Sequence, residues 1–189
     1  MMKRSSGILL PVSSLPSPYG IGTFGKAAYD FADFLHAAGQ KYWQVLPLGP
    51  TSFGDSPYQS FSTFAGNPYF IDLELLIEDG LLTKDEVATC PWGTEPRYVD
   101  YGKIYESRFA LLEKAKTRGW QRDREEVAAF AAENANWLPD YALFMACKRH
   151  FGMRSWLQWP EEKLRLRDAA TVKAYREKLQ IGEKLHVRL

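Results

Sequence analysis

Residues 26–46, KAAYDFADFLHAAGQKYWQVL, decide the fold because a helix pattern in them is followed directly by a strand pattern. Apolar residues recur at helical spacing and predict a helix over 26–38. They are Ala27, Phe31, Phe34, Leu35 and Ala38. Gly39 stands where a helix most often has glycine, just beyond its C-terminus. The apolar stretch 41–46 then predicts a strand, which Pro47 ends.

Another strand is predicted ahead of this helix, at residues 6–10 (SGILL). Strand, helix and strand in that order form a βαβ unit, whose two strands run parallel and whose crossover is almost always right-handed. Residues 1–73 are therefore predicted to be α/β structure. From 74 to 180 the pattern is mostly helical, and Thr83 with Glu86 three residues later forms a capping box.

The helical part contains several separate helix candidates. They lie at 73–79, from 83 onward, and at 103–118, 123–136, 139–150 and 168–179. In the third of these, the spacing predicts one packed face, formed by Tyr105, Phe109 and Leu112. Asp72 precedes the first candidate, where an N-cap role is favoured. Trp156 and Trp159 are interpreted as packing against a helix end.

Two long loops follow the predicted strands, at residues 11–25 and 47–69. Ligands of parallel α/β folds bind outside the carboxyl ends of the strands. Each loop contains Ser-Pro-Tyr, at 17–19 and at 56–58. Because parallel strands bring both loops to the same side of the sheet, the sequence predicts one composite site that is rimmed by serines and tyrosines.

Most of the second loop belongs to the segment GDSPYQSFSTFAGNPYFIDL, residues 54–73, which extends a few residues beyond it. Pro57 and Pro68 each fix their own φ and stiffen the backbone, and each precedes a tyrosine. The loop therefore presents hydroxyl groups and aromatic faces on a rigid backbone, a surface that suits a sugar. For Asp55, turn formation is favoured over ligand contact.

Composition and charge exclude several classes of protein. The net charge is +1, so no field of one sign attracts nucleic acid or an anionic membrane. The apolar run 8–10 is too short for a signal peptide or a membrane span. Cys90 and Cys147 have no paired spacing, which indicates free thiols in a reducing compartment. We therefore expect a cytoplasmic protein without nucleic-acid or membrane partners; the sequence does not indicate its oligomeric state.

Three other patterns in the sequence do not support a functional site. Residues 20–25, GIGTFG, match the dinucleotide fingerprint, but the motif does not follow its strand directly and lacks the acidic residue about 20 positions later. These glycines are interpreted as forming a tight turn that opens a helix. The three histidines lie far apart, so no metal site is predicted. No G-x-S-x-G elbow supports a nucleophilic serine.

Several strings resemble 4-α-glucanotransferases, the amylomaltases or disproportionating enzymes. The strings are SSLPSPYGIG (13–22), YWQVLPLG (42–49), SPYQSFSTFAGNPYFIDL (56–73), WLPDYALFM (137–145) and WLQWP (156–160). The resemblance covers about residues 6–180. It implies an α/β fold that is the N-terminal part of a TIM (β/α)₈ barrel, with a mostly helical inserted subdomain at 74–180.

The resemblance also implies a reaction and a site. Family members transfer a segment of an α-1,4-glucan to the 4-hydroxyl of an acceptor sugar by a retaining double displacement, without a cofactor or a metal. Ser56 and Tyr58 match the family's donor-side glucan-binding pair. Asn67 also matches, either as a binding residue or as a brace for the loop. For Tyr19 and Trp43, core packing is at least as favoured as binding.

The family's catalytic carboxylates are expected beyond residue 189, since family members are about 500 residues long by this resemblance. The pattern fades near residue 179, so 181–189 is predicted to be a divergent tail, the result of a truncation or a frameshift. The alternative function is a non-catalytic glucan-binding or inert fragment.

Two strands cannot close a barrel, so the apolar residues of 41–46 are expected to be exposed and to make the chain poorly soluble.

Overall fold

The computed structural model describes residues 4–52, 54–95, 97–179 and 181. Two strands are present in these residues, β1 (Gly7–Leu9) and β2 (Tyr42–Gln44). The helices are α1 (Lys26–Ala37), α2 (Leu73–Glu78), α3 (Lys84–Ala88), α4 (Tyr101–Gly119), α5 (Arg124–Glu133), α6 (Leu138–His150), α7 (Glu162–Arg165) and α8 (Ala169–Lys178). The fold is thus a helix-rich α/β fragment with a small sheet. Apart from Ile181, the predicted divergent tail lies outside the described residues.

The predicted order of strand, helix and strand is confirmed. β1 and β2 pair in parallel, with Ile8 opposite Trp43. α1 ends as its glycine predicts, because Gly39 adopts a φ of 71°. The Gln40 N–H then donates to the Leu35 carbonyl at 2.9 Å, which satisfies one of the last carbonyls of the helix.

One face of the sheet packs against α1. The Trp43 ring meets Phe31 edge-on at 5.0 Å, and its indole N–H donates to the Leu10 carbonyl at 2.8 Å. Of the two roles left open for Trp43, these contacts support packing. The predicted helix face is only partly correct, because Ala28 is buried whereas Phe34 is 63% exposed. Phe34 lies at the edge of the buried stripe and stacks on Phe31 there.

The opposite face of the sheet is uncovered by the residues that the structure describes. Side chains alternate between the two faces of a strand, so Leu9 and Tyr42 point away from the face that carries Trp43. Leu9 is 56% exposed and Tyr42 is 66% exposed. β1 and β2 also form a sheet of only two strands, so each has an edge without a neighbour in the described part of the chain.

The next helices begin where the capping residues predict. Asp72 caps α2 by accepting the Leu75 N–H at 3.1 Å. The capping box of Thr83 and Glu86 is present at the start of α3. The predicted packed face of α4 is partly correct: Phe109 and Leu112 are half-buried and pack against the core, whereas Tyr105 is exposed. The fully buried residues are centred one position away and are Ile104, Ser107, Arg108, Leu111, Ala115 and Gly119.

The chain divides into two compact units, one that ends at Arg122 and one that begins at Asp123. This division does not coincide with the boundary that the sequence predicts at residue 73, because α4 shares a core with earlier residues: Ile21 and Tyr69 pack with Ile104. α2, α3 and α4 also share a core in this unit. Leu73, Leu82 and Val87 pack there against Leu111 and Ala115.

The second unit, which contains α5 to α8, has its own aromatic core. Trp159 is 6% exposed and packs against Phe144 and Phe151, with ring centroids 5.8 and 5.3 Å away. This agrees with the packing role predicted for Trp159, whereas Trp156 is 47% exposed. None of the helices in the two described units is both long and apolar enough to cross a membrane.

The uncovered sheet face leads to a first prediction. Replacing Leu9 and Tyr42 together by threonine, a β-former with less apolar surface, is expected to reduce self-association of the chain, measured by light scattering after size-exclusion chromatography. The matched control is Tyr29→Gln, which removes an aromatic side chain that is 64% exposed on α1. An equal reduction in both variants would contradict a specific role of the sheet face.

A second prediction concerns Glu86, which joins α3 to α4. Its carboxylate binds Arg118 at 2.7 and 2.8 Å, and hydrogen bonds from Arg118 and the Thr83 backbone lower its pKa from 4.5 to about 2. A depressed carboxyl pKa contributes stability that is present above 4.5 and lost as the pH falls towards 2. Glu86→Gln should therefore lower the melting temperature at pH 7 but hardly at pH 2. Glu106→Gln on α4 is the control and should show no such dependence on pH.

Candidate functional site

The candidate site begins in two consecutive turns of the long loop that follows β2. Gly54 and Asp55 both have left-handed backbone angles, with φ values of 82° and 53°. In the next turn, the Ser56 hydroxyl accepts the Tyr58 N–H at 3.3 Å, and the Ser56 carbonyl accepts the Gln59 N–H at 3.1 Å. The Tyr58 side chain is 73% exposed. These turns therefore present an aromatic ring to solvent beside a hydroxyl group.

Asn67 closes the same loop. Its N–H donates to the Leu48 carbonyl at 2.8 Å, and its side-chain oxygen accepts the Tyr69 N–H at 3.0 Å. Asn67 is only 8% exposed. The first contact joins the end of the loop to its beginning, and the second caps the short helical turn that follows, so Asn67 braces the loop. A role of Asn67 in binding stays a prediction.

The first Ser-Pro-Tyr segment has the same local turn but a different environment. The Ser17 hydroxyl accepts the Tyr19 N–H at 3.1 Å, as Ser56 does for Tyr58. The Tyr19 side chain, however, is half-buried: its hydroxyl donates to Glu74 and its ring lies 5.5 Å from that of Trp92. Burial, together with the hydrogen bond to Glu74, raises the pKa of Tyr19 to about 12. Tyr19 is therefore a packing residue.

The predicted composite rim is not formed as expected. The first loop lines a cavity of about 730 Å³ with residues 92–95 and 97–99, and residues 54–69 do not contribute to its lining. The two loops meet instead at their later ends, where the Phe24 N–H donates to the Phe70 carbonyl at 3.0 Å. The sequence correctly predicts that both loops follow parallel strands, but it does not reveal that Tyr19 turns towards Trp92.

A buried arginine joins the two loops to α4. Arg108 is fully buried, and its guanidinium donates to the Ile71 carbonyl at 2.6 Å and to the Tyr19 carbonyl at 3.4 Å. Burial lowers the pKa of Arg108 to about 10, and the charge of Asp72 partly offsets this shift. The sequence analysis missed this residue. The sequence does contain a pattern that could have revealed it: Arg108 falls on the same helix face as Ile104, Leu111 and Ala115, so it lies within an otherwise apolar stripe.

Asp72 is the anion of this junction and does more than cap α2. Its second carboxylate oxygen accepts the Thr23 hydroxyl, and Thr23 is 5% exposed. A Cβ at Gly25 would collide with the same carboxylate, so only glycine fits there, immediately before α1. This close approach explains why the last residue of the GIGTFG string is glycine, at the tight turn that opens the helix.

The described residues hold no group of three or more histidine, cysteine, aspartate or glutamate side chains that could bind a metal ion. The arrangement thus offers hydroxyl groups, an exposed tyrosine ring and one half-buried carboxylate, that of Asp55. Such groups bind a polyhydroxylated ligand through hydrogen bonds and ring contact.

Comparison with known proteins identifies the family. The model of glycoside hydrolase family 77, described as 4-alpha-glucanotransferase, matches residues 10–188. The chain belongs to the 4-alpha-glucanotransferase family. This confirms the resemblance seen in the sequence. The match also extends over most of the segment 181–189, for which the sequence analysis predicts divergence.

The relatives within the 4-alpha-glucanotransferase family are considerably longer. The enzyme of Streptococcus pneumoniae serotype 4 is 50% identical over 186 residues, which make up 98% of this chain and 36% of that protein. The enzyme of Thermus thermophilus is 46% identical over 182 residues, or 92% of this chain and 35% of that protein. The chain therefore spans about a third of the length of the relatives that it matches.

A solved structure from the family gives the same proportion. The amylomaltase from Streptococcus agalactiae in complex with acarbose has a TM-score of 0.89 and 44% sequence identity. The superposition covers 94% of this chain and 36% of that chain. This chain thus corresponds to about a third of that larger family member.

The buried arginine leads to a prediction for the stability of this region. Arg108→Met keeps an unbranched side chain but removes the donor to the part-buried carbonyl groups of Ile71 and Tyr19 and the positive charge near Asp72. We expect a loss on the order of 3 kcal/mol in the free energy of unfolding, measured by urea denaturation. Arg118→Met on the same helix is the control and should cost much less, because Arg118 lies at the surface. Equal losses would contradict the role of Arg108.

Proposed function

We propose that the chain is the N-terminal, glucan-binding part of a 4-α-glucanotransferase. The reaction transfers a segment of an α-1,4-glucan to the 4-hydroxyl of an acceptor sugar. The observation that carries the proposal is the exposed Tyr58 ring beside the Ser56 hydroxyl, in the long loop that follows the parallel strand β2 in a member of this family. The acarbose bound to the amylomaltase of Streptococcus agalactiae is a glucan analogue and supports a glucan ligand.

Within this reaction, the chain's own residues bind and orient the donor. Tyr58 offers its ring to an apolar C–H face of the sugar, and Ser56 offers a hydroxyl to the same unit. Asn67 braces the loop between them and β2, so that the ring and the hydroxyl keep a constant spacing. In a retaining mechanism, one carboxylate attacks the anomeric carbon while a second carboxylic acid protonates the leaving oxygen, and the two stand about 5–5.5 Å apart. We propose that residues outside this chain supply both groups.

For the fold, we propose that β1, α1 and β2 are the first elements of a (β/α)₈ barrel. The parallel pairing supports this, because barrel strands run parallel and each is followed by a helix on the outside. The uncovered face with Leu9 and Tyr42 supports it as well, since the interior of such a barrel is filled with side chains from all strands. On this proposal, the helices from α2 onward form the inserted subdomain beside the substrate groove.

We further propose a cytoplasmic location. Cys90 and Cys147 are both free, as expected in a reducing compartment. Burial raises the pKa of the Cys147 thiol to about 11 and thereby keeps it protonated and unreactive.

The 189-residue chain alone is expected to bind glucan without transferring it. Incubation with maltotriose should leave the sugar unchanged in chromatography. Coexpression with the remaining two-thirds of the Streptococcus pneumoniae relative should yield a ladder of shorter and longer maltooligosaccharides, because the catalytic carboxylates are then present. The positive control is the corresponding third of that relative, coexpressed with the same part. A ladder from the control but none from this chain would overturn the proposal.

The binding site itself is tested with Tyr58→Ala. Loss of one ring contact, worth about 1 kcal/mol, should weaken the binding of maltoheptaose five- to tenfold in isothermal titration calorimetry. Tyr29→Ala removes an equally exposed tyrosine from α1 and should leave the affinity unchanged. Equal affinities of the wild type and Tyr58→Ala would contradict the proposed site.

A further inference from the structure

The backbone at Asp55 is unusual for a residue with a side chain. Its φ of 53° lies in the left-handed region, directly after Gly54 in the same region. Aspartate tolerates this region better than most residues, but glycine adopts it without steric cost. The Asp55 N–H donates to the Ser52 carbonyl at 3.2 Å and closes the turn. This bond uses only the backbone, so the turn does not require a carboxylate.

The side chain of Asp55 does not act as a turn-forming aspartate does. Such side chains usually accept a backbone N–H nearby. Asp72 and Asp100, which are likewise half-buried, accept the backbone N–H groups of Leu75 and Lys103 at 3.1 and 3.2 Å. No described residue donates a hydrogen bond to the Asp55 carboxylate. Its oxygens are not among the enclosed side-chain atoms that lack a partner, so they are open to hydrogen-bond donors that approach from solvent.

This carboxylate is next to the candidate site in the chain. Ser56 follows it directly, and the exposed Tyr58 ring lies three residues away. Burial raises the pKa values of Tyr69 and Tyr101, and the negative charge of Asp55 raises them further, so both phenol groups lie within its electrostatic reach. Burial also raises the pKa of Asp55 itself. The carboxylate therefore lies partly shielded from water among aromatic and hydroxyl groups.

We propose that the Asp55 carboxylate binds the glucan directly by accepting hydrogen bonds from its hydroxyl groups, in the same site as Ser56 and Tyr58. This inference rests on the proposed function. A carboxylate has two oxygen acceptors and forms charge-assisted hydrogen bonds, which are about twice as strong as neutral ones. Asp55 would thereby set how tightly, and in which orientation, the sugar lies on the Tyr58 ring.

Two substitutions separate ligand binding from turn formation. Asp55→Gly keeps the left-handed backbone and removes the carboxylate, whereas Asp55→Asn keeps both the shape and the tolerance for this backbone but removes the charge. Both variants of the 189-residue chain should bind maltoheptaose at least tenfold more weakly in isothermal titration calorimetry, with melting temperatures close to that of the wild type. Asp79→Asn, at an exposed position after α2, is the control and should bind as the wild type does.

A series of monodeoxy maltotrioses identifies the hydroxyl that is bound. For the analogue that lacks the donating hydroxyl, wild type and Asp55→Asn should bind equally, because the interaction is already missing. A constant ratio across all analogues would mean a structural role and would overturn the inference. If Tyr58→Ala weakens binding while both Asp55 variants retain the wild-type affinity, the inference fails and the proposed function stands. If the wild type binds no maltooligosaccharide, both fail.

Discussion

The buried guanidinium of Arg108 is the interaction on which the first compact unit depends. It connects α4 to the backbone of both long loops, at Tyr19 and at Ile71. Taking this charge out of water is costly, as its lowered pKa indicates. The nearby charge of Asp72 offsets part of that cost. Asp72 also caps α2 and accepts the Thr23 hydroxyl, so its charge lies where the turn before α1 meets α2 and the buried guanidinium of α4.

This junction leaves the candidate site held at both ends and open in the middle. β2 holds the start of the loop, while Asn67 and the contact of Arg108 with Ile71 hold its end. Between them, Asp55, Ser56 and Tyr58 form two turns that reach solvent. A loop of this kind can keep its ligand-facing groups at constant spacing without burying them, because the rigid contacts lie elsewhere. On the proposed function, binding and stability would belong to different residues of one loop.

Local patterns were reliable wherever neighbouring residues settle the structure. The helix ending at Gly39, the N-cap at Asp72 and the capping box at Thr83 all appear as predicted, because each depends on contacts within a few residues. Patterns that depend on distant partners were less reliable. The buried face of α4 is centred one position away from the predicted one. Arg108 is buried there, because its guanidinium donates to carbonyl groups in two distant loops.

The sequence by itself determined the βαβ unit, the family and the loop that carries Ser56 and Tyr58, because periodicity, capping residues and long specific strings are local properties of the chain. Only the tertiary structure decided which of two identical Ser-Pro-Tyr segments is open to solvent. Both form the same serine–tyrosine turn, yet Trp92 and Glu74 cover the Tyr19 side chain, whereas the Tyr58 ring remains 73% exposed. The physical reason is that exposure depends on what packs against a turn, and those neighbours lie more than fifty residues away in the chain.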